Sequence, residues 1–378
     1  MSNPKTKVVM ISTDRAVFSD SPVRKRMIEY GGLFSELHVI VFSLRAQGFV
    51  ETKISENVTL YPTNSISKIF YIKDATRIGQ KLSDTDTVVS TQDPFETGLV
   101  GQTLAKKTGA KLQIQIHTDF LSHHFTKLSL INRIRVRMAK RTLPKADSIR
   151  VVSERIKKSL HAKRYTLRAV PEVLPIFVDV KKIADEPVSE DIRLKYPQFK
   201  FIVLMVSRLT REKYIGLALE AFSKVLKRQK NVGLVIVGDG PEKTALTLKA
   251  KLLGLHKHVI FEDSRNPISY MKTAHMFLST SLYEGYGLTL IESLACGCPV
   301  VCSDVGIAND LLKNDWNAYI CPVGATECFE NHIDDLFKHS EKRELFKQHG
   351  YATLETMSTK ETYLENYKRL IDETRQKA

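Results

Sequence analysis

No apolar run in this 378-residue chain approaches the roughly 20 residues that a membrane-spanning helix needs. The opening stretch, MSNPKTKVVMIS, leads straight into a strand and lacks the apolar core of a signal peptide. Cysteine is absent from the first 295 residues; all five fall at positions 296, 298, 302, 321 and 328. An odd count without a secretion signal reads as free thiols in a reducing cytoplasm. Cys296 and Cys298 are spaced wrongly for a usual zinc pair and have no histidine near them, so they read as small core residues. Repeats and low-complexity tracts are missing too, and 43% hydrophobic with 26% charged residues excludes a disordered chain. Acidic residues are scarce where basic ones crowd. Residues 121–170 hold 14 Lys and Arg against Asp147 and Glu154 alone, a local balance of +12 within a net charge of +15. Such a patch implies an anionic partner: nucleic acid, anionic lipid or a phosphorylated substrate.

The length suggests two domains, each able to bury a core. Short apolar runs at Lys7–Ile11, Leu37–Phe42, Val58–Tyr61, Thr87–Ser90 and Lys111–Ile116 alternate with helical stretches such as Pro22–Ser35 and Phe95–Thr108. That alternation predicts an α/β fold with parallel sheets covered by helices. Ligands bind beyond the carboxyl ends of such strands, which puts Asp14, Gln92, Asp93 and His117 on one rim. Asp84-Thr85-Asp86 lies at a strand entrance away from that rim and reads as turn chemistry. Leu128–Arg141 reads as an amphipathic helix, with Ile131, Ile134 and Met138 on a core-facing side and Arg133, Arg137 and Arg141 on another. Either the arginines contact an anionic partner or they form a solvated face. Asp179–Pro197 is polar and reads as an interdomain linker. A second strand–helix series begins at Phe201–Val206.

The most informative stretch is STSLYEGYGLTLIESLACGCPVVCSDVG, residues 279–306. A strand ends, the chain turns through Tyr283-Glu284-Gly285-Tyr286-Gly287, and a helix runs from about Leu288 to Ala295. Gly297 and Pro299 stop it. A glycine-bracketed loop opening a helix presents unpaired amides and a positive dipole end, which suits a phosphate. Glu284 and Glu292 on either side can each accept hydrogen bonds from a vicinal diol. A phosphate between two polyols describes a sugar nucleotide; a plain strand–turn–helix unit with two solvated glutamates is the other reading.

EGYGLTLIESLACGCPVVCSDVG resembles the Glu-x7-Glu signature of family-four retaining glycosyltransferases, which have the GT-B fold. The resemblance implies two Rossmann-like domains facing each other across a cleft. Residues 1–182 would form the acceptor-binding domain, completed by 358–378 as the last helix returns, and 183–357 the nucleotide-sugar domain. Glu284 would contact the donor sugar and Glu292 the ribose hydroxyls, with the backbone of Gly285, Tyr286, Gly287 and Leu288 near the diphosphate. Ser207-Arg208-Leu209-Thr210-Arg211-Glu212-Lys213 is similar to the family's Gly-Arg-Leu…Glu-Lys element, with serine for glycine. It implies that Arg208 and Lys213 hold the diphosphate. The loop Glu262–Pro267, with Arg265, would pass the base, and His117 matches a histidine that meets the donor sugar. Two departures stand out. Phe18–Arg24 replaces the family's glycine-rich loop after the first strand, leaving Arg24 and Arg26 as candidates for an anion contact. Pro175-Ile176-Phe177-Val178-Asp179 lacks the family's Asn-Gly.

The expected activity is retaining, metal-independent transfer from a nucleotide sugar, a UDP-sugar, to a hydroxyl of a glycan or lipid-linked acceptor, with no cofactor. The implied mechanism is front-face attack, in which a leaving phosphate oxygen takes the acceptor proton. The basic helix would dock the enzyme at the inner face of the cell membrane, on the cytoplasmic side. A sugar-nucleotide epimerase and a basic nucleic-acid-binding protein are the alternatives. Against the second, only Phe125 and Tyr165 supply aromatics to the basic segment, too few for a base-stacking platform.

Overall fold

The computed structural model describes residues 6–162, 165–263 and 266–377. The chain divides into two compact units, Met1–Pro175 with Thr359–Ala378, and Ile176–Ser358.

The first unit is built on an eight-stranded sheet: β1 (Lys7–Ser12), β2 (Glu36–Val41), β3 (Thr52–Ser55), β4 (Val58–Pro62), β5 (Thr87–Thr91), β6 (Lys111–Ile116), β7 (Ser148–Val151) and β8 (Pro171–Val173). Their order is β3-β4-β2-β1-β5-β6-β7-β8, and every pairing is parallel except the β3–β4 hairpin. The sequence reading did not separate that hairpin. In the central strands Val8, Val9, Ile11, Val88 and Val89 are fully buried, as near-continuous β-branched runs require between two helical layers. One face of the sheet is polar as well as buried. Ser90, Gln113, Gln115, Ser148 and Arg150 all sit at a few per cent exposure or below, Ser148 excepted at 8%. The C-terminal helix Lys360–Gln376 covers that stripe. Thr374 and Ser148 share a hydroxyl hydrogen bond of 2.6 Å, and Gln115 donates to Tyr367 at 3.3 Å. The last helix therefore completes the first unit.

The second unit carries a parallel six-stranded sheet of β9 (Phe201–Val206), β10 (Val232–Val237), β11 (Val259–Glu262), β12 (Met276–Ser279), β13 (Val300–Ser303) and β14 (Ala318–Cys321), ordered β11-β10-β9-β12-β13-β14. Its core packs Val203, Leu234, Ile236, Leu278 and Val301 against Phe222, Phe329 and Phe346.

Three expectations are corrected. Asp179–Pro197 is not a linker. It holds short helices Val180–Asp185 and Ile192–Lys195, capped by Asp179 and Asp191, whose carboxylates accept from the Lys182 and Arg193 amides at 3.0 and 2.8 Å. The first of these packs on the helix Leu288–Ala295, which draws Ile176–Lys182 into the second unit and moves the expected boundary from 182 to 175. Cys321 and Cys328 form a disulfide, which leaves Cys296, Cys298 and Cys302 outside any disulfide, all buried. The strand end and the first turn of the helix Thr326–Lys338 bring the two sulfurs together. Finally, the helix Leu130–Thr142 turns Ala139 and Thr142 to the core, with Thr142 donating to the Pro94 carbonyl at 2.6 Å. Leu130, Ile131 and Ile134 point outward at 72%, 60% and 47% exposure, and Met138 is half-buried.

Candidate active site

In the second unit, β12 ends at Ser279 and the chain turns into the helix Leu288–Ala295. Its cap is Gly287, at φ +106°, a left-handed conformation that disfavours a side chain. No side chain caps this helix, and the amides of Leu288 and Thr289 meet no protein acceptor among the described residues. Orphan amides at a helix start attract an anion. The bend is held from behind by Gly306, where a Cβ would stand 2.3 Å from the Tyr286 carbonyl oxygen. That oxygen accepts from the Ile307 amide at 2.9 Å. Tyr286 is buried, which pushes its phenol up to about 12; its contribution is packing. Leu288 is exposed on the first turn.

The two glutamates differ. Glu284 accepts from Lys213 Nζ at 2.5 Å and from the Ser281 hydroxyl at 2.8 Å, with about a fifth of either charged side chain exposed. Glu292 is half-buried and has no side-chain partner among the described residues, and burial raises its carboxyl pKa. Its two oxygens meet no protein donor among the described residues and lie in a partly dry site, where both are open to a ligand diol.

Lys213 reaches Glu284 because the loop after β9 is pinned to the loop after β12. The Thr280 hydroxyl donates to the Lys213 and Tyr214 carbonyls at 3.1 Å each, and the Leu282 amide donates to the Glu212 carbonyl at 2.8 Å. Tyr214 takes φ +47°, an unfavourable backbone for a bulky residue that this bracing sustains. Arg208 is exposed and pairs loosely with Glu212 at 3.4 Å. Gly238 and Gly240 serve this loop. At φ +140° and +159°, their missing Cβ atoms would stand 2.0 and 2.4 Å from the Ser207 and Leu209 carbonyl oxygens. The Gly-x-Gly is thus a close backbone approach, not a dinucleotide fingerprint.

On the first unit's rim, His117 follows β6 and its Nε2 lies 3.1 Å from Gln115 Oε1. Burial, then Arg150 and Arg26, lower its pKa to about 3, so the ring is neutral. Asp93 is raised to about 6 by burial and accepts from the Phe95 amide at 2.7 Å. Asp14, Arg26 and Gln92 line a small cavity of about 30 Å³. Arg26, not Arg24, is the cation that acts on His117; Arg24 is half-buried at the start of the helix Pro22–Gly31. Gln115 and Arg150 are the residues the sequence reading passed over. A charged side chain inside the apolar run SIRVV was the available signal.

Arg265 lies outside the described residues. Arg133, Arg137 and Arg141 share the exposed face of their helix; Arg133 donates to the Thr126 carbonyl at 3.2 Å, while the other two have no partner among the described residues. Asp84 accepts from Lys7 at 3.1 Å and from the Thr87 hydroxyl at 2.8 Å, so the Asp-Thr-Asp is turn chemistry. Among the described residues, three metal-ligating groups converge only at Cys321, Cys328 and His332, and there the two sulfurs are bonded to each other.

The family described as Glycosyl transferases group 1 matches residues 190–353. The alpha-monoglucosyldiacylglycerol synthase of Streptococcus pneumoniae is 30% identical over 240 residues, 60% of this chain. The chain spans 54% of that relative's length. In fold, the sucrose-phosphate synthase of Thermosynechococcus elongatus superposes with a TM-score of 0.80 at 16% identity, covering 97% of this chain and 98% of that one. Anabaena HepE in complex with UDP gives 0.73 at 17% identity, covering 97% and 100%. Residues 190–353, the stretch that carries Lys213, Glu284 and Glu292, thus match the group 1 glycosyl transferases, and the likeness along nearly the whole chain gives it the GT-B fold.

Proposed function

We propose that the chain is a retaining, metal-independent glycosyltransferase that moves a sugar from a UDP-sugar to a hydroxyl of a lipid-linked or glycan acceptor. The observation that carries the reading is the arrangement on one loop of the second unit. Uncapped helix amides adjoin the Lys213–Glu284 pair, and Glu292 stands without a donor eight residues on. The diphosphate meets the amides, Lys213 and Arg208, the ribose diol meets Glu292, and the sugar meets Glu284. The acceptor oxygen bonds to the anomeric carbon on the face from which the diphosphate departs. The bond to the phosphate oxygen breaks, and that oxygen takes the acceptor's proton. Lys213, Arg208 and the amides stabilise the charge that grows on the leaving group. A similar protein named as a monoglucosyldiacylglycerol synthase, and a similar fold that holds UDP, support the lipid acceptor and the base.

Thermal-shift scans with UDP, GDP, ADP and dTDP identify the base, since a ligand stabilises only the state that binds it. Transfer from the matching nucleotide sugar is then assayed with lipid and glycan acceptors, reading the product anomer. Stabilisation by UDP and an α-to-α product are expected. Conversion of the nucleotide sugar without an acceptor would mean epimerase, and an inverted product would end the retaining assignment.

A specific observation adds a membrane. Leu130, Ile131 and Ile134 are exposed on the same helix as Arg133, Arg137 and Arg141. An apolar stripe flanked by cations suits the boundary of an anionic bilayer, each cation adding about 1 kcal/mol. This helix docks the enzyme, at the inner leaflet in our reading. Among the described residues no helix is long and apolar enough to cross a membrane. In co-sedimentation, wild type should bind anionic vesicles. Both Arg133→Glu/Arg137→Glu/Arg141→Glu and Leu130→Ser/Ile131→Ser/Ile134→Ser should lose that binding. Equal binding by all three would reduce the helix to a solvated face.

A further inference from the structure

Arg150 is a buried cation without a carboxylate partner among the described residues, on a strand next to His117's own. It donates to the carbonyls of Leu174 and Pro175 at 3.1 and 3.2 Å, to the Tyr363 hydroxyl at 3.2 Å, and to Gln115 Oε1 at 2.9 Å. Its guanidinium lies over the Tyr367 and Tyr363 rings, 5.3 and 5.8 Å from their centroids. Guanidinium has five donors and no acceptor. The Gln115 atom facing it must therefore be the carbonyl oxygen, and the amide nitrogen takes the other side, 2.9 Å from the Ser90 hydroxyl and 3.3 Å from that of Tyr367. Chemistry fixes the orientation of this amide.

The same oxygen lies 3.1 Å from His117 Nε2. An acceptor can be met only by a donor, so Nε2 carries a hydrogen. The ring is neutral, because burial and the cations Arg150 and Arg26 disfavour a second proton. Nδ1 is consequently a bare lone pair, and no protein donor meets it among the described residues. We propose that Arg150 and Gln115 are positioning residues that lock His117 in the Nε2–H tautomer, so that Nδ1 accepts a hydrogen bond from a substrate hydroxyl. That the hydroxyl belongs to a sugar rests on the glycosyl-transfer reading; the tautomer does not. His117 then orients its ligand without taking part in proton transfer, since Nδ1 has no proton to give and the ring resists gaining one. The glutamine accepts from an arginine on one edge and a histidine on the other. Its carbonyl relays the arginine's fixed polarity to the imidazole.

The closing experiment uses the full chain with nitrogen-15 histidine and reads the imidazole shifts directly, independent of any activity. Wild-type His117 should show a protonated Nε2 and an unprotonated Nδ1, unchanged between pH 8 and pH 5. Gln115→Glu keeps the shape and the Arg150 bond but sets a carboxylate against Nε2–H, which favours the imidazolium. His117 should then titrate above its native value, and kcat should acquire an acidic limb that falls tenfold per pH unit while KM for the acceptor holds. Arg150→Met frees the amide to turn over, so Nδ1–H should become populated. If Arg150→Met fails to fold, Gln115→Glu decides alone. An Nδ1–H tautomer in wild type, titration of wild-type His117 near its ordinary pKa, or a flat profile for Gln115→Glu would each overturn the proposal. Absence of sugar transfer with the tautomer as stated would overturn only the glycosyl-transfer reading.

Discussion

Glu292→Gln should make the ligand-free protein more stable and the nucleotide complex weaker. The carboxylate is half-buried with no donor among the described residues, and burial raises its pKa. A buried, unsatisfied polar group costs about 1–3 kcal/mol, and the smaller figure applies to a half-buried one. Replacing the charge by an amide should therefore gain about 1 kcal/mol. In a unit the size of Ile176–Ser358 that is roughly 2–4 °C in Tm. Binding moves the other way. A hydrogen bond to a charged group contributes about 1.5–3 kcal/mol and one to a neutral group about 1, so two ribose hydroxyls lose about 2 kcal/mol together. That is roughly thirtyfold in Kd. The pH dependence follows from the raised carboxyl pKa. A raised folded-state pKa favours the protonated form, so the native carboxylate's cost is present above that pKa and disappears as pH falls below it. Wild type and variant should converge in Tm at acid pH and separate at neutral pH. Calorimetric titration with UDP and thermal scans across pH test both halves. A variant that is less stable without ligand, or that binds UDP as wild type does, would refute the reasoning.

Lys213→Ala strips a largely buried partner from Glu284, so it should cost up to about 3 kcal/mol of stability as well as turnover. Lys213→Ala/Glu284→Gln should recover stability but not turnover, as scans and initial rates would reveal. Cys328→Ser opens the short disulfide loop from Cys321, for which chain entropy predicts a loss of roughly 2.5 kcal/mol, about 5–10 °C of Tm. Thiol titration of the native protein should find none of Cys296, Cys298 or Cys302 reactive, and of the denatured protein all three, because burial shields them and pushes Cys296 up to about 12. Transfer should continue in EDTA, since Lys213, Arg208 and the helix amides already supply positive charge to the diphosphate. Loss of activity restored by magnesium or manganese would contradict that.

The sequence alone determined the elements and the local half of the site. Strand–helix alternation is written in short-range apolar patterning, which is why Phe201–Val206 and Val300–Ser303 emerge as buried strands. Glu284 and Glu292 are legible together because one turn and one helix separate them, and backbone geometry carries the first to the second. Tertiary structure decided the rest. Lys213 meets Glu284 across 71 positions because two loops at neighbouring strand ends are laced together. Periodicity shows that the helix Leu130–Thr142 has an apolar side, but not which side the core accepts. The core took the small residues Ala139 and Thr142, which fit the close approach to Pro94, and left Ile131 and Ile134 outside. The disulfide was hidden for a related reason: composition gives a cysteine count, while pairing depends on where β14 ends and the next helix begins. Arg150 in an apolar strand looked like an anomaly in one dimension. Only packing against the C-terminal helix, 213 positions away at Tyr363, supplies the hydroxyl and ring faces that let a cation sit there and orient Gln115 and His117.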